Sequence, residues 1–521
     1  MPRIPRFPFR RALIYTHRWL GICGCILFAA WFSSGIVMMY KRMPSLAPED
    51  RLRRMAKLDL SALAVPPNVA ARRADFAPER FRVAMLGDRP VYRFSRGGDW
   101  STVFADTGES MRSMDTRGAE RIARRFLSFD AYRVTSSTLL REPDQWTISL
   151  RNLMPAHRIE FDDPAGTHLY VSSRSGEPVM ETTRTGRLWG YLGAVTHWLY
   201  FTPFRLRTTL WINTVIWLAI AGCILALSGI AWGIWRVSVT ARYRIRGVRY
   251  RSPYSGLMRW HHFAGLAFGL TTFTWVLSGC LSLDPWDWHP PSSPTREQRE
   301  AFAGGSLRLE AVTLDRIRTG AAAVAGSFVP KELEVLQFSG EPFLLAYRPP
   351  TPAPPGRRAG PTAFLSSVQP MQHAAVSLAH PAAPTFERFS VARLRSAAAE
   401  AMAGTPIADS SWLEDYDSYY YSRNRTLPIP VLRLRFADAV RTWLYVDPQR
   451  GLILRKEERL TRLNRWLYHG LHSLDFRFLY DRRPLWDLTV ITLCLGGLLL
   501  CLSPVRQAWQ RLRRHARRIS G

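Results

Sequence analysis

The chain has 521 residues, with 71 Lys+Arg against 41 Asp+Glu and a formal net charge of +30. At 47% hydrophobic residues it is not a disordered polyelectrolyte, and its length exceeds what one hydrophobic core organises. The six cysteines (Cys23, Cys25, Cys223, Cys280, Cys494 and Cys501) all fall in apolar stretches, which excludes a disulfide framework and any Cys/His zinc spacing.

Four segments are apolar enough to cross a bilayer, which takes about 20 helical residues. They cover 19–40, 210–235, 262–283 and 485–502, the last short and closed by Pro504. The first has an apolar core too long for a signal peptide and no small-residue cleavage site after it, so an uncleaved anchor is expected. The chain then divides into 1–40 (basic start and first span), 41–205 (polar), 206–235 (second span) and 236–260 (basic loop). It continues with 261–283 (third span), 284–484 (polar), 485–504 (fourth span) and 505–521 (basic tail).

The flanks set the orientation. Residues 1–16 carry four Arg, 236–259 seven and 505–521 six, with no acid in any of them. Every Asp and Glu lies in 41–205 or 284–487. By the positive-inside rule the termini and the middle loop are cytoplasmic and the two long segments periplasmic, in an inner membrane. Those arginines meet anionic lipid headgroups, so a basic chain of this kind is not read as a nucleic-acid binder.

An internal repeat follows. At a constant offset of 275, Pro155 matches Pro430, Asp163 matches Asp438, Thr167 matches Thr442, Leu169-Tyr-Val171 matches Leu444-Tyr-Val446, and Gly176 matches Gly451. The register reaches the spans through His197 with His472 and Trp211 with Trp486. At offset 244, His17 pairs with His261, Gly21 with Gly265, and Ser34-Gly35 with Ser278-Gly279. The expected fold is a membrane protein of four transmembrane α-helices with two α+β periplasmic domains, built by internal duplication. Alternating strands at 145–151, 157–161, 168–173, 430–436 and 442–447, with helices near 119–127 and 391–403, predict one helix on a small antiparallel sheet in each domain. The Pro/Ala/Gly-rich stretch 348–361 reads as a loop.

HRWLG (17–21), YDSYYY (416–421), TWLYVDPQRG (442–451) and the segment from His469 to His472 together resemble the PepSY-associated transmembrane, PiuB-like family. The resemblance covers nearly the whole chain. It implies PepSY-like external domains and an inner-membrane b-type haem protein of iron acquisition, of the ferrisiderophore reductase type.

The histidines support that reading on their own chemistry. His17 and His261 open spans one and three on the cytoplasmic side, while His197 and His472 precede spans two and four on the outer side. Two histidines at one depth can supply both axial nitrogens of a haem b, so two haems are expected. His262 and His469 are alternates to their neighbours. Gly21 and Gly265, four residues after each inner histidine, leave room for a porphyrin edge, and Arg18 and Arg259 can pair with its propionates. No CxxCH is present, so attachment is not covalent. Cytoplasmic segments of about 16 to 24 residues are too small for a flavin or nucleotide domain, so a separate cytoplasmic or quinol donor is expected. A span rises about 30 Å, so the haems approach the bilayer middle or a carrier such as Trp31 or Trp275 helps.

The tyrosines Tyr416, Tyr419, Tyr420 and Tyr421 offer ring faces to a ferric siderophore or other iron chelate, with Arg423, Arg425 and Arg433 attracting an anionic one; Tyr alternation is equally ordinary strand chemistry. His157, His168, His289, His373, His380 and His515 read as structural or solvent-facing. The rival function is a non-enzymatic PepSY protein that binds or regulates a periplasmic partner such as a protease.

Overall fold

The structure, a computed structural model, describes residues 9–97, 99–326, 328–347, 373–422 and 427–519. The stretch 348–361, Arg423 and Arg425 lie outside them. The chain separates into two compact units: Met1–Met43, Arg187–His289 and Leu463–Gly521 form one, and Pro44–Gly186 with Pro290–Arg462 the other.

The first unit is helical. Apolar runs build α1 (Phe9–Tyr40), α2 (Thr208–Arg236), α3 (Leu257–Leu281) and α4 (Leu485–Leu502), all long and apolar enough to cross a membrane. Each packs on two neighbours in the cyclic order α1–α2–α3–α4, which sets α1 diagonally opposite α3. Glycines on α2 and α4 admit aromatic rings at the centre. A Cβ at Gly222 would stand 2.5 Å from the Phe28 ring, one at Gly497 2.4 Å from Phe32, and one at Gly496 2.4 Å from Phe268. Phe32 lies 6.0 Å from Trp275, and both are buried. A basic amphipathic helix, Val505–Ile519, follows α4.

The second unit holds three antiparallel sheets. In the first half β1 (Arg80–Leu86), β2 (Arg89–Arg96) and β3 (Asp99–Phe104) precede β4 (Val134–Leu140), β5 (Ala156–Phe161), β6 (His168–Ser172) and β7 (Pro178–Thr182). After the small hairpin β8–β9 (Tyr243–Ile245, Val248–Tyr250) of the helical unit come β10 (Glu332–Phe338), β11 (Glu341–Tyr347) and β12 (His373–Ser377). The last four are β13 (Ile407–Leu413), β14 (Val431–Phe436), β15 (Trp443–Asp447) and β16 (Leu452–Glu457).

Two of these sheets run β4-β5-β6-β7 and β13-β14-β15-β16. Helix Thr116–Leu127 covers the first through Ala119, Ala123 and Phe126 packed on Ile159 and Leu169. Helix Val391–Ala401 covers the second through Leu394 and Ala398 packed on Leu432 and Leu444. The paired residues of the repeat play paired parts. Asp163 accepts from the Thr167 amide and hydroxyl at 2.7 and 2.8 Å, and Asp438 from those of Thr442 at 2.6 Å each.

The third sheet, β12-β11-β10-β1-β2-β3, joins both halves of the chain, with Val83 opposite Leu333 where β1 meets β10. The two polar segments therefore contribute to one compact unit, Pro44–Gly186 with Pro290–Arg462. Pairing β1 with β10 gives each strand a partner on both sides and removes two exposed edges. The predicted strand at 145–151 is instead a turn and a 3-10 helix, Ile148–Leu153. Asp144 accepts from the Trp146 and Thr147 amides at 3.0 and 3.2 Å, which turns the chain there.

Candidate cofactor site

Four histidines meet in two pairs at two levels of the helical unit. His17 on α1 and His261 on α3 face each other across the bundle diagonal, ring centroids 6.1 Å apart. His197 and His472, on short segments ahead of α2 and α4, face each other at 6.0 Å. Ser34, which contacts His197, lies 17 residues after His17 on α1, about 26 Å of helical rise.

Every Nδ1 meets a backbone carbonyl. Those of His17, His261 and His472 lie 3.1 Å from the oxygens of Leu225, Leu500 and Trp275, and that of His197 lies 3.2 Å from Trp31 O. A carbonyl only accepts, so each ring donates from Nδ1 and carries its lone pair on Nε2. Hydroxyls of Ser34, Ser278 and Ser503 add contacts at 3.1 Å to His197, His472 and His261. Metal-binding histidines are oriented in this way. Two imidazoles bound end-on to one metal at about 2.0 Å have centroids roughly 6 Å apart.

The His197–His472 pair is placed by devices that periodicity does not reveal. A π-helical turn precedes each histidine, Tyr191–Val195 before His197 and Trp466–Gly470 before His472. Leu199 and Leu474 end the two segments in left-handed conformation, φ 53° and 50°. The first turns of the spans reach back: Trp211 Nε1 donates to Trp198 O and Trp486 Nε1 to Ser473 O, each at 3.0 Å. The Trp211/Trp486 match in the repeat was the available signal for this staple. Trp31 and Trp275 contribute the carbonyls that orient His197 and His472.

A cavity of about 340 Å³ is lined by His17 and His261 together with Gly21, Gly265, Arg18 and Arg511. A Cβ at Gly21 or Gly265 would meet its nearest neighbour, Leu225 or Leu500, at an ordinary 3.7 Å, so helix packing is not what requires glycine there. Gly229 differs, because a Cβ there would lie 2.5 Å from His17 Cε1.

The alternates separate. His262 is buried with both nitrogens engaged, Nδ1 at 2.8 Å from Ser252 Oγ and Nε2 at 2.9 Å from Gly233 O, and it is His261 that faces His17. His469 lies beside Tyr468, centroids 4.5 Å apart and rings tilted by 44°, and it is His472 that faces His197. Arg259 turns elsewhere: its Nε donates to Tyr254 O at 3.1 Å and its guanidinium covers the Tyr250 ring. Arg511, in the C-terminal helix, stands with Arg18 instead, a residue that sequence reasoning missed because it lies far from every histidine motif.

The tyrosine segment belongs to the other unit. Tyr416 and Tyr420 are buried, their hydroxyls donating to Leu427 O and Pro428 O at 2.8 Å, and Tyr420 stacks on Tyr445. Asp417 accepts from the Tyr419 and Tyr420 amides and pairs with Arg433 at 3.0 Å. These two rings are core of the small sheet rather than a stacking platform; Tyr419 and Tyr421 are partly buried against the same cluster. Among the described residues no three His, Cys, Asp or Glu side chains form a metal cluster. Comparison with protein-family models and with curated proteins finds no match for this chain.

Proposed function

We propose that this chain is a b-type haem protein of the inner membrane, of the PepSY-associated transmembrane type, which carries electrons outward to reduce ferric iron held by a siderophore or similar chelate. The observation that carries the reading is the facing of His17 with His261 and of His197 with His472 at 6.1 and 6.0 Å, every Nδ1 held by a carbonyl. The residues fit the group. The spacing suits one iron between two imidazoles, and the inner pair borders a cavity lined by bare backbone at Gly21 and Gly265. Bound haem supplies reversible one-electron chemistry.

The chain's own residues do the rest. The four carbonyls and three serine hydroxyls keep each Nε2 lone pair aimed inward, so little reorganisation accompanies a change of charge. Arg18 and Arg511 give the inner cavity a cationic rim suited to carboxylates. Phe28, Phe32 and Trp275 fill the bundle between the pairs and exclude water from that path.

The same reading sets the termini and the loop 236–260 in the cytoplasm and the sheet unit in the periplasm, from the acid-free arginine flanks. It treats the two halves as a duplicated unit of span, external segment and span, supported by the recurring Asp–Thr turns and Trp staples. The electron donor is a separate cytoplasmic protein or a quinol. The test is anaerobic: purified protein is reduced with dithionite, freed of excess, and mixed with ferric hydroxamate. Reoxidation of the haem bands with equivalent release of ferrous iron is expected. Haem bands that stay reduced in the presence of the chelate would overturn the reductase assignment.

A further inference from the structure

Beyond the histidine pairs, a third donor cluster sits where the chain leaves α3. His289 Nε2 lies 2.7 Å from the side-chain amide nitrogen of Asn464 and 3.6 Å from Asp284 Oδ1. Asp284 Oδ1 and Asn464 Oδ1 are both buried and lack a hydrogen-bond partner. The Asp284 Oδ1 atom faces the imidazole with no donor in hydrogen-bond range, while the side chain as a whole is 32% exposed. A half-turn of the Asn464 amide exchanges its nitrogen and oxygen. The imidazole nitrogen then has an amide oxygen and a carboxylate oxygen beside it, at 2.7 and 3.6 Å.

We propose that Asp284, His289 and Asn464 form a binding site for one divalent first-row metal ion. Two ligands at about 2.0–2.2 Å from one ion stand roughly 3.0–3.5 Å apart, and the observed 2.7 and 3.6 Å bracket that range. Two oxygens with one imidazole select Mn²⁺, Fe²⁺ or Zn²⁺ over Cu(I), which prefers sulfur, and waters complete the shell. The ion's charge answers the orphaned carboxylate oxygen.

The set is not part of the repeated scaffold. The positions matching Asp284, His289 and Asn464 in the first half hold Tyr40, Ser45 and Trp189, none of which offers such a ligand set. Asp284 comes six residues after Ser278, the hydroxyl partner of His472, about 9 Å of chain rise at helical pitch. The site therefore adjoins the His197–His472 level and is absent from the His17–His261 level. Under the proposed function it is suited to receive the ferrous product, although the ligand set stands without that reading.

The experiment uses the full-length protein in detergent and Mn²⁺ alone, read by electron paramagnetic resonance. One equivalent of Mn²⁺ is expected to lose its free six-line signal, and echo-modulation spectra are expected to show coupling to one imidazole nitrogen. Asp284→Asn and Asn464→Ala weaken binding at least about tenfold, and His289→Gln abolishes the nitrogen coupling with haem content unchanged. The proposal is overturned if wild-type protein binds no Mn²⁺, if the bound ion shows no histidine nitrogen, or if the three variants bind as tightly as wild type. The nitrogen coupling is read on wild-type protein, so a variant that fails to fold leaves the test intact. Haem content is recorded separately and identifies a failure of the cytochrome reading by itself.

Discussion

Trp486 Nε1 donates to the carbonyl oxygen of Ser473 at 3.0 Å, tying the first turn of α4 to the residue after His472. Trp486 is 2% exposed, so its ring is fixed by packing and this hydrogen bond sets the segment's position. Trp486→Phe keeps most of the packing and frees that carbonyl. The expected result is a shifted midpoint potential or broadened spectrum for one haem of two, at a cost to stability of about 1–2 kcal/mol. Redox titration followed optically checks it, and an unchanged titration curve counts against the staple.

Gly229 stands against the other pair. A Cβ there would lie 2.5 Å from His17 Cε1, so Gly229→Ala pushes the ring off its carbonyl. Overpacking of this kind costs about 1–3 kcal/mol. Haem loss confined to the inner site is expected, with the outer site retaining its spectrum. Gly233→Ala, whose nearest contact is 3.4 Å away on Leu266, serves as the mild control.

The inner cavity's arginines predict a preference for carboxylates. Arg18 and Arg511 both line it, and the arginine-rich segments 1–16, 236–259 and 505–521 contain no acid to neutralise them. Haem-depleted protein reconstituted with protohaem should fill the inner site more tightly than with its dimethyl ester, and Arg511→Gln should narrow the difference. Equal affinity for acid and ester in wild-type protein contradicts the assignment.

The sheet unit carries a pH dependence of definite sign. Burial opposes ionisation of Glu334, but Arg450 at 3.1 Å and Arg80 at 3.3 Å, with the Tyr347 hydroxyl and Arg82, outweigh it and hold the carboxyl down to about 2, against an ordinary 4.5. A carboxyl lowered on folding contributes stability fully present above its unfolded value and lost as pH falls toward its folded value. The window is thus about 4.5 down to 2, and the contribution at neutral pH is about 3 kcal/mol. Glu334→Gln should be less stable at pH 7 and lose less stability on acidification. Thermal unfolding across that range measures both.

Much of this was legible in the sequence. The four long apolar helices follow from hydropathy, and the two small sheets from alternation and from an offset that carries Asp163 onto Asp438. The histidines stood out because a polar ring at a span end is expensive and four of them sat in register. Other features depend on contacts distant in sequence. The pairing of β1 with β10 joins residues some 250 positions apart, and nothing local in RFRVAML announces its partner. Tyr416 and Tyr420 read either as a stacking platform or as ordinary strand residues, and the Asp417 turn buries them in the core. Arg511 reaches the cavity only because the C-terminal helix passes beside α1, where His515 meets Trp19.

The central claim is that the two facing histidine pairs each hold a haem, and a haem count on purified protein tests it most directly. The optical spectrum of the reduced protein, with pyridine haemochrome quantitation, should show b-type bands and two haems per chain. His17→Ala and His472→Ala should each leave one haem, with the sheet unit still folded by circular dichroism. A colourless wild-type protein from haem-sufficient cells, or two haems retained in both variants, would contradict it.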